Sequence, residues 1–113
     1  MFARLMGLKS ISPGALHQLL QQRQVTVIDV NSRQSWMKAR VPGALNLDPA
    51  GYQDNDLPAD KQAGLVFYCS NPLCRKAPNA ARRAKSMGHS DVQVMSAGIT
   101  GWLAAALPTQ AGD

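Results

Sequence analysis

The chain has 113 residues, 45% of them apolar, with a formal charge of +5 and no glutamate among its seven acids. That length fits one domain with a core of its own. No apolar run approaches the ~20 residues of a membrane span, and the twelve basic residues are dispersed without aromatic interleaving, which disfavours membrane insertion and nucleic-acid binding alike.

Residues 1–8 form a short apolar lead without the length or the small-residue cleavage site of a secretory signal, so the expectation is a cytoplasmic protein. Ser12-Pro13 opens a helix: Ser12 is a good N-cap and Pro13 suits the first helical position. Ala15, Leu16, Leu19 and Leu20 make its apolar stripe, with His17 near the polar face. Residues 25–30, Val-Thr-Val-Ile-Asp-Val, read as a nearly all-apolar strand of the kind covered by helices on both faces. A short helix over 32–40 carries Trp36 and Met37 inward. Pro42-Gly43 marks a turn, and residues 44–47 a second strand.

Residues 48–64 are rich in Pro, Gly and Asp and read as a long, mobile connection with at most one helical turn. Leu65–Tyr68 is a third strand that runs directly into Cys69. A basic helix follows from Ala77 or Pro78 to Met87, and Gly88 stops it; His89 reads as a turn residue. Residues 91–95 are a further strand, Ala97-Gly98 a turn, and residues 99–106 a last helix with Trp102 and Leu103 inward. The Met residues at 6, 37, 87 and 95 read as gap-fillers. Residues 109–113 are a tail. Strands alternating with helices predict an α/β fold: one domain over 1–113, with a central, mainly parallel sheet and helices on both faces.

Chemistry concentrates in the segment Cys69-Ser-Asn-Pro-Leu-Cys-Arg-Lys76. Open parallel sheets bind ligands beyond the carboxyl ends of their strands, where Cys69 falls. The amides and dipole of the next helix, with Arg75 and Lys76, favour a thiolate there. Such a group is a nucleophile inside an anion-binding cradle made by Ser70, Asn71, Pro72, Leu73, Cys74 and Lys76. The bland alternative is a small buried cysteine at a strand end. Two cysteines do not make a disulfide framework, and zinc would need two further ligands from a chain whose histidines are His17 and His89 alone. No metal or organic cofactor is expected. Asp29, at the end of its strand, either orients the active loop or caps a neighbouring turn.

Several segments, in order, resemble the rhodanese homology family. Val27-Ile-Asp-Val30 is similar to the family's strand ending in Asp-Val, and Val41-Pro-Gly-Ala-Leu-Asn-Leu47 to its Pro-Gly-Ala segment. Val66-Phe-Tyr-Cys69 resembles the strand that delivers the active cysteine, and Ala97-Gly-Ile-Thr-Gly-Trp102 its Gly-Ile-x-x-Trp turn. The resemblance implies a three-layer fold with about five short strands. It further implies a sulfurtransferase in which Cys69 takes sulfane sulfur from thiosulfate or a similar small anionic donor as a persulfide. A thiol or cyanide, or a sulfur-relay protein, then accepts it, with Arg75 stabilising charge.

The chain also departs from that pattern. The loop is one residue longer than in sulfurtransferases, matching the family's phosphatases and arsenate reductases, and Pro72 replaces a flexible Gly. Either Arg75 or Lys76 closes it. Asn31 stands where Arg is common, and Arg40 where His is usual. Cys74 is a candidate resolving thiol for Cys69. The departures keep two alternatives open: a non-catalytic or redox-sensing module using Cys69 and Cys74, and oxyanion chemistry of the phosphatase or arsenate-reductase type.

Overall fold

A computed structural model describes residues 7–113; the gap-filling role expected of Met6 lies outside them. The chain order is β1 (Lys9–Ser10), α1 (Pro13–Gln21), β2 (Thr26–Asp29), α2 (Arg33–Lys38), β3 (Leu45–Asn46), a 3-10 turn (Asp54–Asp56), β4 (Leu65–Tyr68), α3 (Lys76–Ser86), β5 (Val92–Val94) and α4 (Gly98–Ala104). The five strands form one sheet in the order β1-β5-β4-β2-β3, with every pairing parallel. β1 was not legible as a strand: its two residues are both exposed, and pairing with β5 alone makes them one.

Side chains alternate across the sheet and sort the core into two layers. Ile28, Val30, Leu65, Phe67, Cys69, Val92 and Val94 face α3, which offers Ala77, Ala80, Ala81 and Ala84. This stripe of small residues lets the helix lie close to the strands. Val27, Val66, Tyr68 and Met95 face the other way, against Leu16 of α1 and Trp102 of α4. Each large apolar side chain buried here contributes roughly 1.5–3 kcal/mol relative to exposure. The expected caps form: the Ser12 hydroxyl accepts from the Ala15 amide at 3.1 Å, and that of Ser32 from the Ser35 amide at 3.2 Å.

Several expectations are corrected. Leu103 points to solvent at 49% exposure while Trp102 is fully buried, because a seven-residue helix presents one narrow face to the sheet. Ala15 is likewise exposed. His17 is packed edge-on against Trp102, with centroids 5.9 Å apart. His89 is buried, with Nε2 3.2 Å from an Asp54 carboxylate oxygen. The 48–64 connection is anchored: Tyr52 and Leu57 enter the α3-side core, and the Tyr52 hydroxyl donates to the Ala80 carbonyl at 2.6 Å.

The segment read as a tail also docks. Arg40 and Gln110 form an antiparallel bridge, and the Gly112 amide donates to the Met37 carbonyl at 2.7 Å. Arg40 is 7% exposed. Its guanidinium lies 3.8 Å from the centroid of the Trp36 ring and donates to the Gly112 and Trp36 carbonyls. A desolvated cation over an indole with paired donors is a stabilising arrangement. Here Arg40 ties the C-terminal segment to α2.

Candidate functional site

Cys69 directly follows β4 at the carboxyl end of the sheet and is 3% exposed. Its neighbourhood is built largely from backbone. At the start of α4, the Ile99 amide donates to the Cys69 carbonyl at 2.9 Å and the Thr100 amide to the Ser70 carbonyl at 3.1 Å. Gly98 makes this approach feasible. Its φ is +67°, and a Cβ placed there would sit 2.5 Å from the Ser70 carbonyl carbon and oxygen. Only glycine tolerates both conditions.

From Ser70 the chain turns tightly. The Asn71 side-chain oxygen accepts from the Leu73 amide at 2.9 Å, and the Asn71 carbonyl accepts from the Cys74 amide at 3.1 Å. This turn brings Cys74 back over Cys69, whose Sγ lies 3.6 Å from the Cys74 carbonyl oxygen. Helix α3 starts at Lys76, one residue earlier than expected, with Arg75 at the N-cap position and no side-chain cap. The first-turn amides of this helix are orphaned: that of Ala77 lies toward Cys69 and that of Lys76 toward Cys74, while the Ser70 amide, at the start of the loop, favours charge on both sulfurs.

The electrostatics differ from the sequence expectation. Burial pushes the Cys69 thiol up, and its hydrogen bond to the Cys74 thiol pushes it further; the Ala77 and Ser70 amides oppose this without prevailing. At Cys74 partial burial also works against ionisation. There the hydrogen bond from Cys69, the Lys76 and Ser70 amides and the Lys76 charge outweigh it and bring the thiol down. The neighbouring thiols are thus shifted in opposite directions, the deeper Cys69 up and the shallower Cys74 down. The expectation of a thiolate at Cys69 read the helix terminus correctly but omitted the desolvation of a strand-end sulfur.

The remaining candidate residues divide clearly. Ser70 is half-buried, while Asn71, Pro72, Leu73, Arg75 and Lys76 are exposed, with Leu73 at 71%. Asp29 is fully buried on the opposite face of the sheet from Cys69. It accepts the Tyr68 hydroxyl at 2.6 Å and the Asn31 amide at 2.8 Å. Burial raises its pKa, opposed by those hydrogen bonds. Asn31 then accepts from the Ser70 hydroxyl at 2.9 Å. Asp29 thus accepts the amide of the residue two positions on, and Asn31 links it to Ser70 at the start of the loop. Asn31 had entered the sequence reading only as a departure from the family's Arg. Its position just past a strand's carboxyl end was the available signal.

A cleft of about 370 Å³ opens beside this loop, lined by Val30, Asn31, Arg33, Asn46, Asp48 and Lys76 among others. A larger cleft of about 780 Å³ lies at the amino end of β2, between Leu20, Thr26, Leu45 and Leu57. It shares no residue with the cysteine loop. Among the described residues no group of three or more His, Cys or Asp side chains could hold a metal ion, and no helix is long and apolar enough to cross a membrane.

A parallel α/β sheet with a cysteine at a strand's carboxyl end, between the N-terminal ends of α3 and α4, defines the general class. Comparison with known proteins narrows it. The rhodanese-like domain profile matches residues 12–105, and the chain belongs to that family. It is 31% identical over 98 residues to an HTH-type transcriptional regulator of Mycobacterium tuberculosis. That match covers 84% of this chain but only 43% of the regulator. It is 25% identical over 96 residues to the thiosulfate sulfurtransferase GlpE of Coxiella burnetii, covering 85% of this chain and 88% of that one. The crystal structure of BH2092 from Bacillus halodurans superposes with a TM-score of 0.83 at 18% identity, over 91% of this chain and 77% of that one.

Proposed function

We propose that this chain is a sulfurtransferase that takes sulfane sulfur from thiosulfate or a similar small anion onto Cys69 and passes it to a thiol or cyanide. The observation that carries the reading is the placement of Cys69 at the carboxyl end of β4, packed under the start of α3, beside the Ser70 and Ala77 amides. Such donors stabilise negative charge on the sulfur and on an anion beside it. The chemistry balances without a cofactor. Cys69 Sγ bonds to the outer sulfur of thiosulfate, the bond to the sulfonate sulfur breaks, and sulfite leaves with the electron pair. The Cys69 thiol, which donates to the Cys74 carbonyl oxygen, first loses its proton to the neighbouring Cys74 thiolate, the local base. Lys76, at the mouth of the adjoining cleft, and Arg75 attract the incoming anion.

Intact-mass measurement after thiosulfate treatment is expected to show a gain of one sulfur atom, absent in Cys69→Ser, and cyanide is expected to release it as thiocyanate. Absence of any adduct with thiosulfate or polysulfide donors would overturn the reading. The nearness of the two cysteines, with Cys69 Sγ 3.6 Å from the Cys74 carbonyl oxygen, supports a second reading, a redox-sensing module in which an oxidant joins Cys69 to Cys74. In that case peroxide produces an internal disulfide while sulfane donors leave no label.

A further inference from the structure

Resting on the sulfurtransfer reading, we propose that Cys74 is the exit thiol of the site: sulfane sulfur loaded on Cys69 moves to Cys74 before it leaves the protein. Three observations support this order. The two sulfurs differ in depth, Cys69 being 3% exposed and Cys74 half-buried at the rim beside exposed Leu73, Arg75 and Lys76. The turn held by Asn71 sets Cys74 over Cys69, whose Sγ lies 3.6 Å from the Cys74 carbonyl oxygen. Both sulfurs also share the Ser70 amide, so an atom passing between them stays within one set of donors. An acceptor thiol carried on a bulky molecule reaches the rim more readily than the floor.

The transfer needs no oxidant. Cys74, protonated during loading, returns that proton to the Cys69 persulfide, and its thiolate then attacks the persulfide's outer sulfur. A new S–S bond forms on Cys74, and the bond between the outer sulfur and Cys69 Sγ breaks. The electron pair leaves on Cys69 Sγ, which takes the persulfide proton and returns to a thiol. The negative charge ends on the Cys74 persulfide, next to the Lys76 amide. An acceptor thiolate then removes the outer sulfur and restores the resting pair.

The test is site localisation. Wild-type protein is loaded with thiosulfate, freed of excess donor and trapped with an alkylating agent. The tryptic peptide containing both cysteines is then fragmented between them. The extra sulfur is expected mainly on Cys74. In Cys69→Ser no label is expected. In Cys74→Ser loading is slower because the local base is gone, but the label that forms stays on Cys69, and its discharge to a bulky thiol, measured on the loaded fraction, slows about tenfold or more. Label confined to Cys69 in the wild type, or wild-type discharge by Cys74→Ser, overturns the relay and leaves the Cys69 sulfurtransfer reading standing. A Cys69–Cys74 disulfide with release of sulfide also overturns it, because Cys74 then attacks the inner sulfur. No label on either cysteine with any sulfane donor removes the sulfurtransfer reading and the relay together. Should Cys74→Ser fail to fold, localisation in the wild type decides alone.

Discussion

Two irregular segments flank the α3-side core, and they are held in opposite ways. The 69–75 loop is fixed through its backbone: the Ile99 and Thr100 amides take the Cys69 and Ser70 carbonyls, and Gly98 yields the space. Its side chains from Asn71 to Leu73 project into solvent. The 48–64 connection is fixed through its side chains. Tyr52 and Leu57 are buried in the core, and Asp54 meets Lys61 and buried His89. A loop held mainly through its backbone can vary its exposed side chains, Ser70 and Asn71 excepted, and keep its shape, which suits a site. A side-chain-held connection cannot, and its sequence specifies its anchors.

The comparison breaks first at Tyr52. Tyr52→Ala removes a buried ring, its hydrogen bond to Ala80 and its contact with Arg83. The expected loss is about 3–5 kcal/mol in denaturant unfolding, with sulfur loading retained by the fraction that stays folded. Gly98→Ala sharpens the opposite case. Strain at a positive φ costs about 1–3 kcal/mol, and the Cβ displaces Ser70 and the donors around Cys69. Loading from thiosulfate is expected to fall far more than stability does, as read by intact mass against melting temperature.

A third measurement separates the two thiols. The lowered pKa of Cys74 means it is ionised at lower pH than an ordinary thiol, and the raised pKa of Cys69 means the reverse. Alkylation of Cys74 should therefore rise with a midpoint below 9.0 and that of Cys69 above it. Cys69 reacting first would reverse the assignment. The smallest effect falls on the connection. Hydrogen bonds from Lys61 and then His89 hold the Asp54 pKa below its usual 3.8. A depressed carboxylate pKa stabilises the fold above the unfolded value, and that contribution is lost as pH falls through the folded value. Melting temperature should therefore drop more steeply below pH 3.8 in the wild type than in Asp54→Asn.

Much of the fold was legible. The Ser12-Pro13 start, the apolar run into Asp29 and the strand ending at Cys69 follow local rules of capping and periodicity. They lie close to the observed elements. Leu103, the 48–64 connection and the C-terminal segment were misread for one shared reason. Each depends on what a distant residue offers: the narrow face left to α4, the Ala80 carbonyl for Tyr52, the Trp36–Arg40 stack for Gly112. At the site, the cysteine, its loop and the helix start were visible. Gly98 was visible only as a turn, and the Asn31–Ser70 contact not at all.

The sequence alone determined the alternation of strands and helices and the place of a cysteine where a strand gives way to a helix, because hydrophobic period and turn chemistry act over a few residues. Tertiary structure decided the strand order, the docking of residues 109–113 and the opposite directions in which the two thiols are shifted. The last of these depends on depth. Desolvation of Cys69 and the nearness of Cys74 arise only when the loop folds over the end of the sheet, and no count along the chain contains that distance.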